Sequence, residues 1–279
     1  MRRCLGLMVV VLVTGCSDTP RVIVPAKAVP VVEATKGGVE LTAMKAPEKS
    51  DPAATELVKA ALNAHTANKP NDVNKFKTVK FQRGGFIRSL EQQTLPQAWT
   101  IHASWPSQYR VRAELSGNQI VTIGWNGTTG WRAVSVADKG PPTVKMSPNE
   151  VEDFQLDVTG EWLWLLFPFT DPETIVATVP TTIINGKPAP GVRVWHPKLS
   201  PAIVHFDPDT KLLLMITYEG RESGRKVIKE YDMLEHKEFD GVKFPVRMAQ
   251  KANGEQYAEW TLNTLESKPS HDAKLFDGP

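Results

Sequence analysis

The chain has 279 residues, 33 of them Lys or Arg and 31 Asp or Glu, for a formal net charge of +2. So even a balance offers no basic field to recruit nucleic acid, and beyond the N-terminal segment no apolar stretch approaches the ~20 residues of a membrane-spanning helix. The two cysteines, Cys4 and Cys16, both lie near the N-terminus, so the body has no disulfide and its stability must come from a packed core.

Arg2 and Arg3 precede an uninterrupted apolar run from Cys4 to Val13. A basic start followed by an apolar run too short to span a bilayer reads as a signal segment. Leu12-Val13-Thr14-Gly15-Cys16 resembles the lipobox of bacterial lipoproteins. The resemblance implies that residues 1–15 are a signal peptide and that Cys16 is the lipidated first residue. Loss of Arg2 and Arg3 leaves 31 basic against 31 acidic side chains. The alternative is an ordinary secretory signal with an incidental Cys16. Two or more acyl chains are needed for stable anchoring, a condition that a fully acylated cysteine meets. The implied location is the cell envelope, lipid-anchored on the periplasmic side. Ser17, rather than an acid, favours the outer membrane under the enterobacterial sorting rule.

Residues 16–50 read as the acylated cysteine and a tether, with Pro20, Pro25, Pro30 and Pro47 and the pair Gly37-Gly38. Residues 51–279 suit one domain. Asp51-Pro52 is an N-cap followed by a first-turn proline, and Leu57, Val58, Ala61 and Leu62 predict a helix to about His65. The period then becomes two. Trp99, Ile101, Ala103 and Trp105 alternate with polar residues, as do Tyr109, Val111, Ala113 and Leu115, then Val121, Ile123 and Trp125. Gly84-Gly85 predicts a bulge or sharp curl. Asn126-Gly127 and Asn185-Gly186 predict type I′ hairpins, and Ser116-Gly117-Asn118 another turn. Ser147-Pro148-Asn149-Glu150 is a capping box that opens a helix with Val151, Phe154 and Val158 on its apolar face, broken at Gly160. The uncharged run Trp162 to Phe169 follows, with Pro168 inside it. Further strands are predicted near 191–196, 202–207, 211–219, 225–237, 242–250 and 255–265. Asp207-Pro208-Asp209-Thr210 is a turn, and Pro245 places its strand at an edge or a bulge.

No catalytic constellation assembles from these residues. The histidines, at 65, 102, 196, 205, 236 and 271, show no metal-ligand spacing, and no nucleophile elbow or phosphate-cradling loop is present. The expectation is therefore no enzyme, no metal and no cofactor. The tryptophans stand out instead: Trp99, Trp105, Trp125 and Trp131 in neighbouring strand patterns, Trp162 and Trp164 in the helical segment. Aromatic rings on one face of a curved sheet either fill a core or line an apolar cavity.

The order of elements resembles the LolA/LolB-like superfamily of periplasmic lipoprotein carriers and receptors. Residues 56–62 with His65 resemble the opening helix of its outer-membrane lipoprotein-sorting relatives, and Phe206 to Leu213 their strand-turn-strand. Gly241-Val242-Lys243-Phe244-Pro245 and Leu275-Phe276-Asp277-Gly278-Pro279 resemble their last hairpin and end. The resemblance implies a mainly β fold with few helices. A large, strongly curved antiparallel sheet forms an open half-barrel, and the helices cover its concave face. It also implies acyl-chain binding without catalysis. Arg83 and Arg88 fall near the strand that carries the carrier's lid-latching arginine.

The residues expected to line an apolar cavity and its lid are Trp99, Ile101, Trp105, Tyr109, Val111, Val121, Ile123, Trp125, Trp131, Phe154, Trp162, Leu165, Leu166, Leu212 and Leu214. The leading functional expectation is a monomeric envelope lipoprotein. It would bind a lipid acyl chain or a lipidated protein, and it would meet the membrane through its N-terminal lipid. The competing expectations are a sensor or structural protein that binds another protein through its sheet edge or helix face, and a hydrolase with an unfamiliar site.

Overall fold

The computed structural model describes residue 41 and residues 45–88, 94–115, 119–136, 143–222, 225–272 and 274–278. Cys16, the rest of the signal segment, Gly37-Gly38 and the predicted turn at 116–118 lie outside them. The first half runs α1 (Pro52–His65), a 3-10 helix (Pro70–Lys77), β1 (Thr78–Arg88), β2 (Thr94–Ser104), β3 (Gln108–Leu115), β4 (Gln119–Trp125), β5 (Gly130–Val136) and β6 (Val144–Lys145). Then come α2 (Pro148–Asp157), α3 (Thr159–Trp164) and a second 3-10 helix (Phe167–Thr170). The chain ends with β7 (Ile175–Ile184), β8 (Lys187–Trp195), β9 (Ala202–Phe206), β10 (Leu213–Glu222), β11 (Arg225–Phe239), β12 (Val242–Ala252) and β13 (Glu255–Ser267).

The described strands form one 13-stranded sheet in the order β6-β5-β4-β3-β2-β1-β13-β12-β11-β10-β9-β8-β7. The pairing is antiparallel from neighbour to neighbour, and the first and last strands meet in its middle. Its ends do not meet, so it is a curved half-barrel with helices, as expected. Register shifts, at Gln82/Arg83 on β1 and at Glu235/His236 on β11 among others, increase the local twist. Gly85 is required by this curl: a Cβ there would lie 2.0 Å from the Glu259 carbonyl oxygen.

All three α-helices pack against the concave side. Asp51 caps α1 by accepting from the Ala53 N–H at 2.9 Å, and Ala54, Val58, Ala61 and Leu62 are buried in the core. His65, at its last turn, accepts the Leu213 N–H at 2.9 Å through Nε2 and bonds the Lys243 carbonyl through Nδ1. One neutral imidazole therefore ties α1 to β10 and β12, with Nδ1 carrying the proton. The predicted capping box opens α2: Ser147 and Glu150 exchange bonds of 3.3 and 2.8 Å. The core between helices and sheet is aromatic, with Trp105, Trp162 and Phe167 edge to face, and Phe81, Trp164 and Phe244 likewise. No described helix is long and apolar enough to cross a membrane.

Three local expectations need correction. Gly160 does not break the helix; it lies inside α3, where a Cβ would come 2.9 Å from rings of Tyr218 and Tyr231. The first interruption falls at Val158, between α2 and α3, and the α-helical segment ends before Leu166, which has a φ of 68° ahead of Pro168. Asn126-Gly127 is not a two-residue turn. Trp125 pairs with Gly130, and Asn126 Oδ1 accepts the Thr128 and Thr129 N–H groups at 3.1 and 2.9 Å. Trp131 is paired with Gly124, which alternates with Trp125 on β4, so its ring faces the convex side rather than the concave wall with Trp125. There its Nε1–H donates to the Phe276 carbonyl at 2.8 Å, under the C-terminal segment. The Asn185-Gly186 turn is as predicted, with φ of 51° and 77° between the paired Ile184 and Lys187. Pro245 sits beside the β11 register shifts, in a stretch of β12 that precedes its pairing with β13, which begins at Arg247.

Candidate functional site

A cavity of about 180 Å³ lies between the concave face of the sheet and the helical segment of α2 and α3. Its apolar wall comes from β3 and β4. Strand alternation points Val111, Ala113 and Leu115, and Val121 and Ile123, the same way. Trp99 and Ile87 extend the wall along β2 and β1, and Phe154 and Val158 face it from the helix side. The opposite wall is polar: Arg83, Gln97, Asp157, Glu161, Lys229, Tyr231, Gln250 and Tyr257.

Two ion pairs, one buried and one partly buried, join the helical segment to the sheet beside this cavity. Arg83 Nη1 on β1 lies 2.7 Å from Glu161 Oε1 on α3, with the two side chains 2% and 5% exposed. The guanidinium is stacked 4.6 Å from the Trp99 ring and 4.8 Å from the Trp260 ring, which restricts its rotamers and adds cation–π attraction. Glu161 also accepts from Trp164 Nε1–H at 3.1 Å and from the Tyr231 hydroxyl at 3.4 Å. The second pair is Lys229 Nζ on β11 with Asp157 Oδ1 at the end of α2, 3.0 Å apart. Asp157 and Glu161 are four positions apart, about one helical turn. A single turn of the helical segment thus carries both carboxylates, and each meets a cation from a different part of the sheet.

Burial dominates the titration of these groups. It opposes the charge on Arg83, but the attraction and hydrogen bond of Glu161, together with Tyr109 and Tyr231, outweigh it and raise the Arg83 pKa. Burial also raises the Asp157 carboxyl above its ordinary value, against the pull of Lys229. The Tyr109 phenol is pushed well above the usual tyrosine range by burial and then by Glu161, and Tyr231 by burial and then by Tyr218. Both phenols are neutral at ordinary pH. The wall can therefore solvate a polar group by hydrogen bonding, while its two cations and two carboxylates balance.

Of the fifteen apolar residues singled out from the sequence, Trp99, Tyr109, Val111, Val121, Ile123 and Phe154 are brought together around the cavity. Ile101, Trp125, Trp162, Leu165 and Leu166 are buried in the core and do not line it. Trp105 packs on Trp162 and bonds Asp171 through Nε1–H at 3.2 Å, away from the cavity. Trp131 is on the convex face. Leu212 lies in the turn closed by its carbonyl with the Asp207 N–H, and Leu214 is half-buried; it is Leu213 that enters the core. Apart from Arg83, noted for its strand without a role, the polar wall escaped sequence reading. Arg83, Asp157, Glu161 and Lys229 come from four elements, and charge in a strand or helix pattern reads first as a wet face. Glu161, a charge pressed directly against the apolar run that starts at Trp162, was the available signal.

Asp171, Glu173 and His196 bring three potential ligand atoms together, within 4.8 Å of one another. A metal on His196 Nε2 requires the proton on Nδ1. His196 Nδ1 instead accepts the Lys198 N–H at 3.1 Å, which puts the proton on Nε2, directed at Asp171 3.7 Å away. The donor set does not fit a metal.

No protein-family model matches the sequence, and no curated protein matches it. The structure does find likenesses. LolA superfamily protein NE2245 from Nitrosomonas europaea aligns with a TM-score of 0.51 at 8% identity, over 80% of this chain and 96% of that one. The body has the LolA-superfamily fold. A DUF1329 family protein from Desulfovibrio piger aligns less well, with a TM-score of 0.47 at 11% identity over 81% of this chain and 98% of that one. An outer membrane lipoprotein-sorting protein domain from Vibrio parahaemolyticus gives 0.44 at 8% identity, over 74% and 95%. In the LolA-like body described above, the cavity lies on the concave face between sheet and helices.

Proposed function

We propose that this LolA-like body is a non-enzymatic binding module that holds an acyl chain, of a lipid or of a lipidated protein, in the cavity beneath α2 and α3. The observation that carries the reading is the unfilled apolar wall of β3 and β4 beneath a helical segment held by one buried and one partly buried ion pair. Each methylene buried there contributes about 0.8 kcal/mol. A cavity of about 180 Å³ belongs to the size class that takes one benzene-sized guest. A full acyl chain therefore requires α2 and α3 to move outward, and the ion pairs set the resistance to that movement. The chain's place in this reading is at the envelope, anchored through Cys16.

The test is titration of the protein with a fluorescent fatty-acid probe, together with mass spectrometry of lipids that co-purify with it. Saturable binding in the wild type, abolished by Ala113→Trp without loss of the folding transition, is the expected result. No saturable binding in the wild type, with no co-purifying lipid, ends the acyl-binding reading. The anchor is tested separately: Cys16→Ala should leave the protein unprocessed or soluble. Membrane fractionation of that variant at the mature size, as in the wild type, would remove the anchor from the proposal and leave the cavity.

A further inference from the structure

The polar wall of the cavity is built where the first and last strands meet. β1, β13, β12 and β11 lie side by side there. Pairing puts Gly85 opposite Trp260, and Gln250 between Ala258 and Tyr231. Alternation along β1 and β13 keeps Arg83 with Gly85 and Ala258 with Trp260, so Arg83, Trp260 and Gln250 share the concave face.

The charges in this wall are matched, but its donors are not. Arg83 pairs with Glu161, and Lys229 with Asp157. Trp99 Nε1–H donates to Gln97 Oε1 at 2.7 Å. Its packed neighbour Trp260 differs: Trp260 Nε1 finds no acceptor among the described residues, and neither does Arg83 Nε. Trp260 is 1% exposed and Arg83 2%, and both line the cavity. Gln250, 4% exposed, brings an amide to the same lining. Buried donors are as a rule paired, and one left without an acceptor costs stability. The indole and guanidinium N–H groups only donate, so the partner that suits them is an acceptor.

We propose that this end of the cavity receives the carbonyl oxygen of an ester- or amide-linked acyl chain, with Trp260 and Gln250 as the residues that select it. The proposal rests on the acyl-binding reading above. A free fatty acid fits worse. Its carboxylate would come beside Glu161 and Asp157, and both cations of the lining already have partners. An unpaired buried charge costs far more than a hydrogen-bonded neutral carbonyl. The linkage carbonyl is uncharged, has two lone pairs to offer, and directly precedes the alkyl chain that the wall of β3 and β4 accommodates. Trp260 and Gln250 belong to the sheet and not to the helical segment, so outward movement of α2 and α3 does not carry them away from the guest.

Displacement of the fluorescent fatty-acid probe from the full-length protein at pH 7.5 tests this. Methyl decanoate and decyl methyl ether differ only in that the ether has a methylene where the ester has its carbonyl. The wild type should bind the ester about tenfold more tightly than the more apolar ether, the worth of about one hydrogen bond. Decanoate should bind at least about tenfold more weakly than the ester. Trp260→Phe and Gln250→Leu should each remove most of the ester's advantage and leave the ether's affinity within about twofold. Gln250→Leu keeps the test if Trp260→Phe does not fold. Competition by monodecanoylglycerol and by an N-decanoyl peptide names the source: displacement by the first supports a lipid ester, displacement by the second a lipidated protein, and displacement by neither overturns the proposal. Equal binding of ester and ether by the wild type, decanoate as tight as the ester, or an advantage that survives both substitutions would also overturn it while leaving the acyl-binding reading in place. No saturable binding of the probe or of any competitor would overturn both.

Discussion

Arg83 and Glu161 meet 2.7 Å apart in the interior of the protein, the cation lying beside the mutually packed rings of Trp99 and Trp260. The pair spans the sheet and the helical segment, so it links stability to access. Removing one partner strands the other as a buried charge, at a cost of about 3–5 kcal/mol, whereas replacing both by apolar side chains is far milder. Glu161→Gln is therefore expected to be strongly destabilising, and Arg83→Met with Glu161→Leu should recover most of the loss. Urea denaturation of the two single variants and the double variant checks this. Additive losses in the double variant would contradict a direct coupling.

Leu166 is 1% exposed, adopts a positive φ and does not line the cavity. Leu166→Ala should lower stability by about 2–5 kcal/mol through the hole it leaves. Affinity for a fluorescent fatty-acid probe should not change. A changed affinity with near wild-type stability would mean that this residue does belong to the lid of the ligand space.

Gly160→Ala sets two effects against each other. In an exposed helix the change gains up to about 1 kcal/mol of helix propensity. Here the new methyl would lie 2.9 Å from rings of Tyr218 and Tyr231, and such overpacking costs about 1–3 kcal/mol. The steric cost should win, and the melting temperature should fall. A rise would show that α3 can shift away from the two tyrosines freely.

Acid should weaken the fold well before carboxylates titrate. His65 and His236 have rings 5.6 Å apart, and burial above all lowers each from 6.5 to about 4. Between those values the unfolded chain takes up protons that the folded state refuses. The stability they contribute is whole above about pH 6.5 and is lost as the pH falls toward about 4, by about 3 kcal/mol for His65 alone. Urea midpoints measured at pH 7.5, 6, 5 and 4.5 should fall steadily. A profile flat to pH 4.5 would mean that both rings accept protons without disturbing α1.

The elements that local physics decides were legible in the sequence. The Asp51-Pro52 start of α1, the Ser147–Glu150 capping box and the Asn185-Gly186 turn are each determined by backbone bonds between near neighbours. Period-two runs marked the strands, because one face of a half-barrel must be apolar. The neighbourhood of the strands was not legible: a run such as Trp99 to Trp105 says which residues share a face, not which strand lies beside it.

What the sequence alone determined about this protein is therefore its class: a mainly antiparallel β body, helices with an apolar face to bury, and a lipobox-like start whose cysteine is the candidate anchor. Only the tertiary structure decided the site. Trp131 lies outside the concave wall because it pairs with Gly124, on the face of β4 opposite Trp125. Gly160 became a helix contact because two tyrosines from distant strands stand against it. Arg83, Asp157, Glu161 and Lys229 converge on one cavity from β1, α2, α3 and β11. Charges so far apart in the chain acquire a meaning only when folding removes water from between them, because the energy of a charge depends on its surroundings and not on its place in the sequence.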